Sequence, residues 1–157
     1  MKIFDCTTFY SEHLMMDLRF NILDEYVHKF IVCESTFSHS GKKKKLNFDI
    51  NNYPKFKDKI SYIVIDEEPD GIIGYKNGLA EPYEKRKDSL KRINLSYDYM
   101  IKAISEASDN DLIILSDNDE IPNLNSKQFK NSKKDIIIFK QLFFYYKFNL
   151  FYDLMPW

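Results

Sequence analysis

The chain has 157 residues, 44% hydrophobic and 30% charged, the size and composition of one globular domain, which excludes a disordered, collagenous or coiled-coil chain as the main class. Lys and Arg (23) nearly cancel Asp and Glu (24), so no basic excess points to nucleic acid, and no apolar run is long enough to span a membrane. An acid at position 5 and the lack of an unbroken apolar start read as no signal peptide, so the expected location is the cytoplasm, where Cys6 and Cys33 are too few for a disulfide framework and read as small buried residues.

The pattern predicts a strand over Lys2–Thr8, then a helix over 12–25 capped by Ser11, with Leu14, Met15, Leu18, Ile22 and Leu23 at helical spacing. Val27–Glu34 reads as a buried strand. Residues 35–58 read as a long polar loop carrying Lys42–Lys45, the kind of segment that is functional or mobile. A third strand is expected over Ile60–Ile65, a glycine-containing connection over 71–82, and a long helix over Tyr83–Ala107 with Leu90, Ile93, Tyr97, Met100, Ile101 and Ile104 on one face. Asp111–Leu115 is a fourth strand running into Ser116-Asp117-Asn118-Asp119-Glu120-Ile121-Pro122. A helical turn near 126–131 and a last strand from Asp135–Phe139 into Leu142–Tyr146 complete the pass. Alternating strands and helices define the expected fold class: α/β, with a Rossmann-type, mostly parallel sheet and helices on both faces, in one domain over 1–157. Such sheets bind ligands beyond the carboxyl ends of their strands, which places Asp117–Glu120 at the default site.

Asp-x-Asp at a strand end puts two carboxylates two residues apart, on one side of the chain if it stays extended. They repel each other, and a divalent cation is the natural partner. Mg²⁺ or Mn²⁺ takes one or two carboxylates plus phosphate oxygens, and a bridged diphosphate is stabilised as a leaving group. Asp and Asn are also ordinary turn residues, so a plain polar turn is the competing reading. An EF-hand loop is excluded by the missing Gly and distal Glu. Three histidines, at 13, 28 and 39, and two cysteines show no zinc-like spacing. His13 and His28 read as surface residues.

Ser116–Pro122 resembles the S-D-x-D-E-I-P segment of the family seventeen glycosyltransferases. Lys2-Ile3-Phe4-Asp5-Cys6 with Phe9-Tyr10-Ser11-Glu12 resembles the opening of that family, and Leu14–Leu23 fits its following segment with Arg19 at the family's Arg. Phe30–Thr36 and Phe37–Leu46 resemble its next two motifs, with Lys42–Lys45 uninterrupted where the family has Lys-Pro-Lys-Pro. The resemblance implies a GT-A-like fold, a nucleotide-sugar donor (a UDP-sugar first), Mn²⁺ or Mg²⁺, a glycan acceptor and an inverting, N-acetylglucosaminyltransferase-like transfer. It implies that Asp117 and Asp119 hold metal and diphosphate, and that Glu34, Ser35 and Arg92 (with Arg86 as competitor) place the nucleotide. The general base stays open: Asp119 and Glu120 are the expected catalytic carboxylates, with Asp153 and His39 as further candidates. The aromatic stretch Phe143–Tyr146 with Phe148, Phe151 and Tyr152 reads as core and edge strand, as a sugar-stacking wall, or as a homodimer interface. Members of the family continue beyond the matching motifs, so the alternative is a non-catalytic or fragmentary nucleotide-sugar-binding module that needs a partner.

Overall fold

The structure is a computed structural model that describes residues 1–73, 82–144 and 150–152. Four short runs rich in Ile, Val and Phe build one sheet: β1 (Ile3–Thr8), β2 (Lys29–Ser35), β3 (Ile60–Ile65) and β4 (Leu112–Leu115), all parallel, in the order β3-β2-β1-β4. Because β1 and β2 are buried on both faces, they read as near-continuous apolar runs. Successive side chains leave opposite faces. Phe4, Cys6, Ile31, Cys33 and Ile65 pack with Met100 of helix α2 (Pro82–Ala103) and with Ile104 just beyond it. On the other face Phe20 of helix α1 (His13–Leu23) meets Phe30 with ring centroids 4.7 Å apart. Helices therefore cover both faces, as right-handed crossovers require when the chain winds β1 to β3 one way and returns to place β4 beyond β1. Both cysteines are free and buried.

Helix α1 turns a different face inward than periodicity alone suggests. Its buried residues are Met16, Arg19, Phe20 and Leu23, while Leu14, Leu18 and Ile22 are exposed, Leu14 by 72%. The inward stripe follows i, i+3, i+4, i+7 spacing and contains an arginine, which a count of apolar positions passes over. The N-cap is Glu12, not Ser11. Helix α2 stops at Ala103, short of Ala107, and exposes Leu90 and Ile101, because its inward face is partly polar, with Asp88 and Ser96 buried beside Met100.

Residues 36–59 are packed rather than loose. Thr36–Lys44 forms a tight hairpin in which Ser38 N–H bonds to Lys42 O (2.8 Å), Gly41 N–H to Ser38 O (2.8 Å) and Lys44 N–H to Thr36 O (2.8 Å). Two short 3-10 turns, Ile50–Asn52 and Lys57–Lys59, then bring Phe48, Tyr53 and Phe56 under the sheet. Phe20 contacts Tyr53 and Phe56 (centroids 5.1 and 5.4 Å), extending the core beneath α1. Gly41 at the hairpin tip has φ of +83°, and a Cβ there would lie within 2.8 Å of Arg92 Cζ. Gly41→Ala is therefore expected to destabilise by about 1–3 kcal/mol through strain and crowding together, measured by urea unfolding.

The chain divides into two compact units, Met1–Asp119 and Glu120–Trp157. The second contains helix α3 (Lys127–Lys130), capped by Ser126, whose hydroxyl accepts from Phe129 N–H at 3.2 Å. It also contains an antiparallel pair, β5 (Phe143–Phe144) with β6 (Phe151–Tyr152). The expected strand over Asp135–Phe139 is not formed. Among the described residues nothing pairs with it, and Ile138 is 86% exposed. A run of β-branched residues needs a neighbouring ladder to become a strand, and here it has none. Tyr145, Tyr146, Phe148 and Asp153 lie outside the described residues.

Candidate active site

Strand order reverses between β1 and β4, and a crevice opens beyond the carboxyl ends of strands at such a point. The first unit has a cleft of about 580 Å³ there. Thr8, Phe9 and Tyr10 reach it from the end of β1, Cys33 and Ser35 from β2, and Asp117–Asp119 from β4, while Arg92 and Ser96 of α2 close another side. Most of the expected site is thus brought together: Ser35, Arg92, Asp117 and Asp119 share one cleft. His39, on the hairpin, joins them, and Arg86, exposed on α2, does not.

Asp117 and Asp119 are exposed on either side of buried Asn118. What holds them so is the Arg of the Leu14–Leu23 segment, to which the sequence had assigned no role. Arg19, wholly buried in α1, makes a bidentate pair with Asp5 of β1: Nε to Oδ2 at 2.8 Å and Nη2 to Oδ1 at 2.7 Å. The same guanidinium donates to Ser116 Oγ (2.8 Å), Asp117 O (2.8 Å) and Asn118 O (3.3 Å). Five planar donors in a fixed fork suit this convergence, where a lysine has one nitrogen. The signal was present in the sequence, since an acid inside a buried strand and an arginine on a buried helix stripe each need a partner.

Glu12 fastens the turn from the side. Its Oε2 accepts from Tyr10 N–H (3.0 Å), Ser11 N–H (2.9 Å) and Asn118 Nδ2 (2.9 Å). Burial pushes its carboxyl up, but these hydrogen bonds outweigh burial and hold it below its ordinary value of 4.5. A carboxylate with a lowered folded value stabilises the fold above its unfolded value and loses that contribution as pH falls through the folded one. The Tm advantage of the native chain over Glu12→Gln is thus expected to be full at pH 7 and to shrink steadily below about pH 4.5, as followed by circular dichroism.

Glu34 serves the scaffold behind the cleft. Its Oε1 accepts from Asn47 N–H (2.8 Å) and from Lys44 Nζ, and its Oε2 from Phe48 N–H (3.0 Å) and Tyr62 OH (2.8 Å). It pins the base of the hairpin. Burial, and then the hydrogen bond to Glu34, raises Tyr62. Arg92 forms a bidentate pair with Glu68 (Nε to Oε2 2.7 Å, Nη2 to Oε1 2.9 Å) and gives Nη1 to His39 O at 3.1 Å, tying the hairpin tip to α2. Burial pushes the Cys33 thiol up to about 12, so it reaches the cleft as a neutral, small side chain rather than a nucleophile. Glu120 is the first residue of the second unit and is not among the residues that line this cleft.

Among the described residues no three His, Cys, Asp or Glu side chains gather to hold a metal. Two exposed carboxylates at one strand end still fit a hard divalent cation that draws its remaining ligands from phosphate and water, the usual habit of Mg²⁺. No described helix is long and apolar enough to cross a membrane.

A four-stranded parallel sheet flanked by helices, with a carboxylate turn at its reversal point, is a Rossmann-like α/β arrangement, consistent with a GT-A-like fold. The sequence profile of glycosyltransferase family 17 matches residues 1–157, and the chain belongs to that family. It is 30% identical over 117 residues to the human beta-1,4-mannosyl-glycoprotein 4-beta-N-acetylglucosaminyltransferase, covering 69% of this chain and 19% of that protein. It is 28% identical over 130 residues to the enzyme of the same name from Rattus norvegicus, covering 77% of this chain and 22% of that one. The chain therefore spans about a fifth of the length of these relatives. No solved structure matches it.

Proposed function

We propose that this chain carries the donor site of a glycosyltransferase, which takes a sugar from a UDP-sugar and passes it, with inversion, to a glycan hydroxyl. One observation carries the reading: Asp117 and Asp119 stand exposed at the end of β4, in a cleft at the reversal point of a parallel sheet. They would hold Mn²⁺ or Mg²⁺, which when bound neutralises the diphosphate as it leaves. The relatives' name supports N-acetylglucosamine as the sugar and a mannosyl glycan as the acceptor.

The chain's own residues divide the remaining work. Ser35 offers a hydroxyl at the end of β2 and Arg92 a guanidinium from α2, groups suited to nucleotide and phosphate. Glu34 contributes indirectly, by fixing the hairpin base through Lys44 and Asn47. In an inverting step the acceptor oxygen bonds to the anomeric carbon as the bond to the diphosphate oxygen breaks, and the hydroxyl proton passes to a base. Asp119, which lines the cleft, is the carboxylate we assign near that step.

The test is thermal stability against UDP, GDP, ADP and UDP-N-acetylglucosamine, each with and without Mn²⁺. At ligand a hundredfold above Kd, a Mn²⁺-dependent rise of about 5–10 °C with uridine ligands alone is expected. No shift with any of them would overturn the donor site. Binding without transfer to mannosyl glycans would leave a nucleotide-sugar-binding module instead of an enzyme.

A further inference from the structure

We infer that Arg19 is the positioning residue of the Asp117–Asp119 turn and that Asp5 masks its charge, so that one buried ion pair shapes the donor site without adding net charge to it. The inference rests on the reading of Asp117 and Asp119 as the groups that hold cation and diphosphate. Three successive residues, Ser116, Asp117 and Asn118, give an acceptor each to one guanidinium. With the carbonyls of 117 and 118 turned inward and the Asn118 side chain buried on Glu12, the side chains of Asp117 and Asp119 are left exposed. The turn therefore takes its form from α1, an element nearly a hundred residues away in sequence, rather than from its own loop.

Charge is the second half of the device. A guanidinium is always ionised, and this one is bonded to the backbone beneath two carboxylates. Left unmasked, it would offset their charge and compete with a divalent ion. Asp5 takes its Nε and Nη2 edge at 2.8 and 2.7 Å, leaving Nη1 and the remaining Nη2 proton for the turn. The pair is neutral as a unit, so Arg19 holds the turn without adding net charge beneath Asp117 and Asp119. Lysine would preserve the charge of the pair and lose the fork that reaches three acceptors.

The experiment is Mn²⁺ binding in the presence of UDP, read from loss of the free-Mn²⁺ electron paramagnetic resonance signal. It compares the full chain with Arg19→Lys, Ser116→Ala and Asp117→Asn, well below the lowest Tm. Asp117→Asn is expected to abolish binding. Arg19→Lys is expected to weaken it at least ~10-fold per folded molecule. Ser116→Ala, which removes one acceptor and keeps the ion pair, is expected to weaken it about 3-fold with little change in Tm. A merely structural Arg19 would lower Tm and leave affinity per folded molecule unchanged; that result overturns the inference and leaves the donor site standing. Absence of Mn²⁺ binding by the native chain removes the donor site and the inference together. If Arg19→Lys does not fold, Ser116→Ala decides, and unchanged affinity in it counts against the positioning role.

Discussion

Asp117→Ala/Asp119→Ala is expected to lower donor turnover, measured as release of UDP from UDP-N-acetylglucosamine, by roughly 10³-fold or more, while unfolding free energy stays within about 0.5 kcal/mol of the native chain. A thousandfold is about 4 kcal/mol of lost transition-state stabilisation, the scale on which groups facing a leaving diphosphate act. The stability half of the expectation follows from exposure. Both carboxylates are exposed, and they stand close to each other in sequence. The turn beneath them is held by backbone carbonyls and Ser116, and alanine keeps every one of those acceptors. A large loss of stability in this variant would mean that the carboxylates belong to the scaffold, and the donor reading would fall with it.

Asp5→Ala is the opposite case, with its effect on the fold. Arg19 is 0% exposed and Asp5 1%, so removing the carboxylate takes from a buried guanidinium its ion-pair partner and leaves it the neutral acceptors of Ser116, Asp117 and Asn118. Breaking a buried pair in this way costs about 3–5 kcal/mol, a large part of the ~5–15 kcal/mol that holds a domain together. Arg19→Met should cost a similar amount, because it strands Asp5. The double variant, Asp5→Ala/Arg19→Met, should cost clearly less than the two single changes added together, with a coupling of about 1–3 kcal/mol in urea unfolding. Strict additivity would mean that the two side chains do not stabilise each other.

Much of the fold was legible because apolar strands buried on both faces announce themselves: β1, β2, β3 and β4 all fall where runs such as Ile60–Ile65 and Leu112–Leu115 predict. The place of the Asp-x-Asp turn, at the end of β4 and beside a cleft, was legible too, because parallel sheets open crevices at the carboxyl ends of their strands. What stayed hidden was polar and buried. The inward face of α1 carries Arg19, so counting apolar positions turned that helix, and the inward face of α2 carries Asp88 and Ser96 beside the expected Met100, while Leu90 and Ile101 fall outside it. The aromatic layer of Phe48, Tyr53 and Phe56 was hidden for another reason. It sits in a segment whose lysines and asparagines read as solvated loop, and only three-dimensional closure shows that the rings stack under Phe20. In Asp135–Phe139 the composition of a strand is present, but no described residue pairs with it.

The strand order has a consequence for how this protein is made. β1 sits between β2 and β4, yet β4 emerges from the ribosome about a hundred residues after β1. At ~5–20 residues per second, one whole edge of β1 waits about 5–20 s for its second neighbour. During that interval the backbone amides and carbonyls of Ile3–Cys6 that later pair with Leu112–Leu115 form an open ladder, the kind of edge on which nascent chains aggregate. The two backbone carbonyls that will complete the Arg19 shell have not yet been synthesised either. Slow translation between codons 10 and 111 would lengthen that exposure. Supplying the segment from Asp111 to Asp119 early, by circular permutation, would shorten it.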